Sequence, residues 1–395
     1  MKRSVVITAF IAVVLVSFGS GLYAGETTGI TNNTIKIGNN IDLTGPSSVQ
    51  GIGANIGTES FFRYVNDQGG IHGRKVKYFV EDNGYQPATA VASIKKLLHR
   101  DKIFATLSWG TVTTLAIVND VTREKVTTFC LAESEALFTP YKRYLFSFLP
   151  SQYRQAGAVV HYMVKTMRPK DLRLGILYQD DEYGRSGLRG IRDAAKRNGI
   201  ELIGEVSFKR SALNFTSQIL QMKKRGANYV YIGTYIRNAA NLLKEAKKLG
   251  FHPQFFGNHS AFEAKVIELA GEASRGYMGC RYVEDLHEKT TGIAKVRKAI
   301  SKYKGSLKKT GGLTVPGWAG AMILSEGLKK AGRDITKEGL IDALETIKNF
   351  NPDGLMPPIT FGPMQREGAK GVRIVKVDIE NKILVPVSDW IVPTD

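Results

Sequence analysis

"GILYQDDEYGRSGLRGIRDAAK", residues 175–196, decides what kind of chain this is. The segment reads as a strand, "LRLGILY", running into three acids, Asp180, Asp181 and Glu182, and then a helix. In that helix Leu188, Ile191 and Ala195 share one side, while Arg189, Arg192, Lys196 and Arg197 face out. Clustered carboxylates at a strand–helix junction can hold a divalent metal or perform acid–base chemistry. A metal site would need further carboxylates from neighbouring strand ends. Residues 208–210 and 233–235 carry Phe, Lys, Arg, Gly, Thr and Tyr instead. Negative charge at a helix N-terminus is stabilised by the helix dipole. The three acids therefore read as a helix start near Tyr183 or Gly184, and the segment as a β–α unit.

The same unit repeats in both directions. Upstream, "TIKIGNNIDL" reads as a strand, Gly45-Pro46 as a turn and 48–67 as a helix stopped by Gly69-Gly70. "KVKYFVED", "IFATLS" and "VTTFCLA" follow as strands, separated by helices over "PATAVASIKKLLHR" and "TLAIVNDVTRE". Downstream, "IELIGEVSF", "NYVYIGT" and "PQFFGN" alternate with helices ending at Gly226 and Gly250. Thr336 reads as an N-cap, with Ile335 stapled to Leu340. Strands alternating with helices at this spacing imply parallel sheets with right-handed crossovers, here in two series. Extended pieces at 145–151, 276–282 and 354–361 are the candidate connections between them.

The chain opens "MKRSVVITAFIAVVLVSFGSGLYAGE". Lys2 and Arg3 precede an apolar run from Val5 to Val16, and Ala24 offers a small residue for cleavage. The run is shorter than the roughly 18–20 residues of a spanning helix, so residues 1–24 are expected to be a secretory signal. Cleavage leaves 371 of the 395 residues, enough for two or three domains. Removing Lys2 and Arg3 takes two charges off the formal +19 and leaves +17. The positive charge is scattered mostly as pairs, Lys95-Lys96, Lys223-Lys224, Lys247-Lys248 and Lys308-Lys309, each expected late in a helix. No basic block interleaved with aromatics exists, which argues against nucleic acid. Cys130 and Cys280 sit in strand-like runs and read as two buried thiols. The histidines, at 72, 99, 161, 252, 259 and 287, have no ligand-like spacing for zinc.

"GIGANIG" (51–57) resembles a dinucleotide-binding glycine loop, but it lies several residues past the first strand instead of in the turn directly after it. Gly53 and Gly57 are expected to allow close packing of a helix on the sheet, and no cofactor is expected. There is no G-x-S-x-G elbow and no Walker loop. Ser260 follows His259 on an extended segment, where adjacent side chains point to opposite faces and form no dyad. "LSWGTVTT" (107–114) places Gly110, Thr111, Thr113 and Thr114 where a strand enters a helix, a setting that suits either anion binding or ordinary capping.

The blocks "IKIGNNIDLTGP", "NDQGGIHGRKVKYFVED", "LYQDDEYGRSGLRGIRDAAK" and "NYVYIGTYIRNAANLLKEAKKLGFHPQFFG" resemble the leucine/isoleucine/valine- and amide-binding branch of the type I periplasmic binding proteins, over nearly all of the mature chain. The resemblance implies an α/β fold of two Rossmann-like lobes with parallel-sheet cores, joined by three short crossings. Lobe I would take 30–148 plus 282–355, and lobe II 149–281 plus 356–395. It implies a periplasmic, non-enzymatic, monomeric receptor of an ABC importer. The receptor would bind a small organic ligand in the cleft (an amino acid, organic acid or amide) and hand it to a membrane permease. A ligand-sensing subunit of a receptor or regulator shares the fold, and a nucleotide-dependent enzyme is the third alternative.

In relatives, hydroxyls and amides of the loop matching Trp109, Gly110, Thr111 and Thr113 hold the ligand carboxylate, with a second set matching Ala132 and Ser134. Gln50 matches a residue after the Gly-Pro turn, and Tyr183 and Tyr235 match tyrosines that close over the ligand. The acid that pairs with a ligand ammonium falls here on His259. A neutral imidazole cannot take that part and a protonated one would repel an ammonium. An α-amino acid would then need Glu133 or Glu284 instead, whereas an aromatic or aliphatic acid, or an amide, would not. For a ligand with a carboxylate and no ammonium, His259 is expected to donate a hydrogen bond to it, and affinity to rise as pH falls through the imidazole's titration, near ~6.5 if unperturbed.

Overall fold

The computed structural model describes residues 26–308 and 310–392; the expected leader, 1–24, lies outside the described residues. The first sheet joins β1 (Thr34–Ile41), β2 (Lys75–Asp82), β3 (Ala105–Trp109), β4 (Thr127–Leu131) and β5 (Leu145–Ser147) in the order β2-β1-β3-β4-β5. Every pairing in it is parallel. Each residue of β3 and β4 is buried, as a strand covered by helices on both faces requires.

The second sheet has the order β12-β11-β10-β9-β8-β6-β7. Its members are β6 (Leu174–Gln179), β7 (Leu202–Phe208), β8 (Tyr229–Gly233), β9 (Gln254–Gly257), β10 (Met278–Arg281), β11 (Arg373–Asp378) and β12 (Ile383–Pro386). The strands from β6 to β10 are parallel, as expected from their spacing for β6 to β9, whereas β10 falls in a segment expected to be a connection. The edge departs from that expectation: β11 runs antiparallel to β10, and β12 antiparallel to β11. A hairpin turn through Lys382 (φ 55°) joins these last strands, so no helical crossover marks them in the sequence.

The glycines of 51–57 lie inside the Ser48–Asp67 helix, and their packing partner is another helix. A Cβ at Gly57 would sit 2.0 Å from the Thr314 carbonyl oxygen, and one at Gly317 2.0 Å from that of Ala54. The Thr314–Lys330 helix therefore lies backbone to backbone on the first, and Thr58 Oγ1 donates to the Gly317 carbonyl at 3.0 Å. The expected helix–sheet contact is thus a helix–helix contact. The lysine pairs at 95, 223 and 247 do sit at helix ends, but Lys308 lies beyond the Thr291–Lys304 helix. Cys130 and Cys280 are buried, unpaired thiols, as read from the sequence.

The connections between sheets run side by side. Ser147 donates its N–H to Arg366 O at 2.8 Å and accepts from Gly368 N at 2.7 Å, while Glu284 N donates to Leu355 O at 2.8 Å. Most of 276–282 is β10, an interior strand, and the chain leaves the second sheet after it. Segment 354–361 is tied to the end of the Lys337–Glu345 helix through Phe361 N–H to Ile347 O at 3.0 Å.

Candidate functional site

Parallel register brings the carboxyl ends of β1, β3 and β4 to one edge of the first sheet, and those of β6, β8 and β9 to one edge of the second. Loops at such edges are where open α/β sheets gather ligand-binding groups. In the first sheet Gly110 has φ +86°, a left-handed conformation, and a Cβ there would lie 2.5 Å from Cε2 of Tyr85. Only glycine meets both conditions. Trp109 is buried and donates its indole N–H to Ser47 Oγ at 2.9 Å. Ser47 in turn donates to Asp42 Oδ2 at 2.6 Å, and Asp42 accepts the Gly45 N–H at 2.6 Å, which fixes the Gly-Pro turn.

The two threonines of this loop differ. Thr113 Oγ1 donates to the carbonyl of Trp109 and lies 3.1 Å from that of Gly110, so its proton is committed to the loop itself. Thr111 Oγ1 is buried and has no hydrogen-bond partner. Of the two hydroxyls expected to donate to a ligand, only that of Thr111 is uncommitted. Ser134 Oγ accepts from Ala136 N at 3.2 Å and meets Glu182 Oε1 at 2.9 Å, so it ties the sheets together; Ala132 is buried beside it.

From the second sheet, Tyr183 and Tyr235 stack with centroids 4.5 Å apart and planes 11° from parallel. Tyr235 reaches across to Tyr85, oxygen to oxygen 3.0 Å. Beside them a cavity of about 220 Å³ is lined by Ser47, Tyr85, Gln179, Arg210, Tyr235 and Arg237, among others. A larger hollow of about 670 Å³ lies at the connections, bordered by Glu284, Lys370 and Trp390, away from the sheet ends. The three acids of the opening segment each have a local partner. Asp181 caps the Glu182–Arg197 helix by accepting from Gly184 N at 3.3 Å, Asp180 pairs with Arg185 at 2.7 Å, and Glu182 pairs with Arg189. They form a helix start, one residue earlier than expected.

Glu133, directly after Ala132 and buried, lies where segments of the two sheets meet. Its Oε1 accepts from Tyr282 Oη at 2.7 Å and Ser260 Oγ at 3.2 Å, and its Oε2 from Gln155 Nε2 at 3.0 Å and from Gln152 Nε2. Every one of these donors is neutral. Burial pushes the Glu133 carboxyl above its ordinary range, against the pull of those hydrogen bonds. Glu284, the other candidate acid, is engaged with Arg373 at 2.7 Å.

His259 is fully buried and stacks on Tyr282 with centroids 3.8 Å apart. Its backbone N–H donates to Gln155 Oε1 at 2.8 Å, but neither ring nitrogen has a partner. Burial, then the Arg281 charge, hold its pKa well below 6.5, which overturns the expected titration in the neutral range. Gln50, in the first turn of the 48–67 helix, is buried with Nε2 unpartnered.

Sequence reasoning passed over Tyr85, Gln152, Gln155, Arg281 and Tyr282. Tyr85 had a local signal in "EDNGY", where Asn83 Oδ1 accepts from Tyr85 N at 2.8 Å and holds Tyr85 at φ 55°. Arg281 had one too, as a charge closing the otherwise apolar strand "MGC".

Comparisons with known proteins agree with this arrangement. Residues 34–382 match the periplasmic binding protein family. The leucine-, isoleucine-, valine-, threonine- and alanine-binding protein of Pseudomonas aeruginosa is 23% identical over 349 residues, 87% of this chain and 89% of that one. The fatty acid ABC transporter substrate-binding protein from Thermomonospora curvata superposes with TM-score 0.83 and 25% identity, covering 93% of this chain and 94% of that one. A branched-chain amino acid ABC transporter protein from Thermus thermophilus with bound valine gives TM-score 0.82 at 23% identity, covering 92% and 97%. With the family matched from β1 to the hairpin before β12, and with two α/β sheets facing each other across a polar gap, the chain belongs to the periplasmic binding protein family.

Proposed function

We propose that this protein is the periplasmic solute-binding component of an ABC importer, a monomer that captures a small carboxylate-bearing molecule between two lobes and delivers it to a membrane permease. The lobes are taken as 30–148 with 282–355 and 149–281 with 356–395, with residues 1–24 as the export signal. The observation that carries this reading is the buried Glu133 carboxylate, ringed by neutral donors, just past the end of β4, the strand paired with β3 whose end carries the loop of Gly110 and Thr111. A buried carboxylate with no cationic partner is costly to keep, and a ligand ammonium would offset that cost. The loop supplies the opposite chemistry, an unused hydroxyl for a ligand carboxylate. Tyr85, Tyr183 and Tyr235 add aromatic surface that seals the gap. That combination favours an α-amino acid and answers the substitution of His259 for the family's acid. The relatives named above for branched-chain amino acids support the same class.

Binding that bridges the lobes stabilises the form in which they touch, raising the melting temperature and reducing the radius of gyration. Mass spectrometry of the small molecule released on denaturing the folded, purified protein tests the ligand class. Solution scattering with and without saturating ligand tests the closure. A protein that releases nothing, and whose scattering and melting respond to no amino acid, organic acid or amide, would refute the reading.

A further inference from the structure

We propose that the gap contains a second polar subsite, built by Arg281, Glu263, His259 and Gln50, that receives an anionic oxygen group at the far end of the ligand. The ligand class is then an α-amino acid with an acidic side chain. This rests on the solute-binding reading above and deepens it.

Arg281 closes β10 and is buried. Among the described residues neither of its Nη atoms makes a hydrogen bond, and its one ion-pair neighbour is Asp285, 3.3 Å from Nη1 without hydrogen-bond alignment. A buried guanidinium left in this state is expensive, and its two parallel donors match a carboxylate. The groups around it are equally uncommitted. Glu263, buried at the start of the segment after His259, accepts from Gly312 N at 3.0 Å through Oε2, while Oε1 has no partner. Among the described residues Gln50 Nε2 and both ring nitrogens of His259 make no aligned hydrogen bond, although the Gln50 amide faces Glu263 and the Cys280 backbone faces the imidazole. The groups interact: burial and then the Arg281 charge oppose protonation of His259, and the Glu263 carboxyl, which burial raises to about 7, is drawn down by the Gly312 N–H, the Arg281 charge and the Gln50 amide.

The balance of unused groups sets the sign. Arg281 and Gln50 offer only donors at these atoms, the imidazole offers one donor and one acceptor, and Glu263 offers an acceptor that becomes a donor when protonated. Donors prevail among these four groups, and the guanidinium is the charge among them without an aligned partner, so the complementary group is an oxygen anion. His259 stacks on Tyr282, which donates to Glu133, so the subsite adjoins the place proposed for the ligand ammonium.

The test is calorimetric titration of the full mature chain with L-glutamate, L-2-aminoadipate and L-leucine, on the wild type and on Arg281→Met. An acidic probe should bind the wild type at least tenfold tighter than L-leucine. Arg281→Met should weaken that probe by at least thirtyfold and L-leucine by less than threefold. Gln50→Leu, a change at the start of an exposed-ended helix, should narrow the same preference about fivefold and serves if Arg281→Met does not fold. L-leucine binding tightest, with the variants scaling all three probes alike, would overturn the subsite and leave solute binding standing. No response to any of the three probes, or to the wider panel of acids and amides, would remove both.

Discussion

The Tyr282 hydroxyl donates to Glu133 Oε1 at 2.7 Å, linking the end of β4 in the first sheet to the chain that leaves β10 in the second. The contact places a carboxylate from one sheet among donors carried by segments of the other, so Glu133 reports on both binding and closure. Glu133→Gln keeps the shape and removes the charge. It should weaken L-leucine or L-glutamate by about 2–5 kcal/mol, the cost of truncating one partner of a buried charge pair. Binding of 4-methylpentanoate, which lacks the ammonium, should change little. Ligand-free, the variant should melt no lower than the wild type, because it removes a buried carboxylate with no cation beside it. Calorimetry and thermal melts check all three; an equal loss for leucine and 4-methylpentanoate counts against the assignment.

Gly110→Ala tests the fit of the strand-end loop under Tyr85. The new Cβ would lie 2.5 Å from the tyrosine ring at a backbone of φ +86°. A positive φ with ψ 140° is backbone that essentially only glycine adopts and costs an L-residue about 1–3 kcal/mol, and moving the ring breaks the Tyr85–Tyr235 contact. Urea denaturation should show a loss of about 1–3 kcal/mol, together with weaker ligand binding. Tyr85→Phe, which loses only the hydroxyl, should keep most of the stability and retain binding within tenfold.

How far these features were legible follows from the range of the forces behind them. The β–α alternation, the 48–67 helix, the Thr336 cap and the buried thiols are local consequences of periodicity, capping and burial, and the residues announce them. The 373–386 hairpin was not read, because a short antiparallel turn leaves no crossover helix behind it. The glycines at 53 and 57 were read as packing residues against the wrong surface, since their partner helix lies over 250 residues away in sequence. In the site, Gly110, Tyr183 and Tyr235 were reached through the family resemblance. Arg281, Glu263 and Tyr85 were not, because their significance is an unsatisfied or strained state that exists only once distant segments meet.

A pH prediction follows from Glu263, whose carboxyl burial raises to about 7, with the Gly312 N–H, Arg281, the Gln50 amide and Asp285 as the groups facing it. Between its unfolded value of 4.5 and about 7, the folded chain holds a proton that the unfolded chain has released. Its contribution to stability is therefore fully present below pH 4.5 and declines as pH rises toward 7. The full shift corresponds to on the order of 3 kcal/mol. Glu263→Gln should flatten that dependence, so that the gap between wild-type and variant melting temperatures changes in the variant's favour from pH 5 to pH 7.5. Parallel melting curves across that range would show that Glu263 does not titrate there.

The two threonines of the strand-end loop should separate binding from folding. Thr111 Oγ1 is buried with no partner, whereas Thr113 Oγ1 donates to the carbonyl of Trp109. Thr111→Val deletes an unsatisfied hydroxyl while preserving volume, so the ligand-free protein should be as stable as the wild type or more so. Its ligand affinity should fall by about 1–3 kcal/mol, the cost of leaving a buried carboxylate oxygen without its donor. Thr113→Val deletes a hydrogen bond made inside the loop, so it should lower stability by about 1 kcal/mol and affect binding only through the loosened loop. Chemical denaturation of both ligand-free variants, followed by calorimetry with the tightest-binding amino acid, measures the two effects separately. If Thr113→Val costs more affinity than Thr111→Val while leaving stability untouched, the roles are reversed and the Thr113 hydroxyl must turn from the Trp109 carbonyl to the ligand on closure.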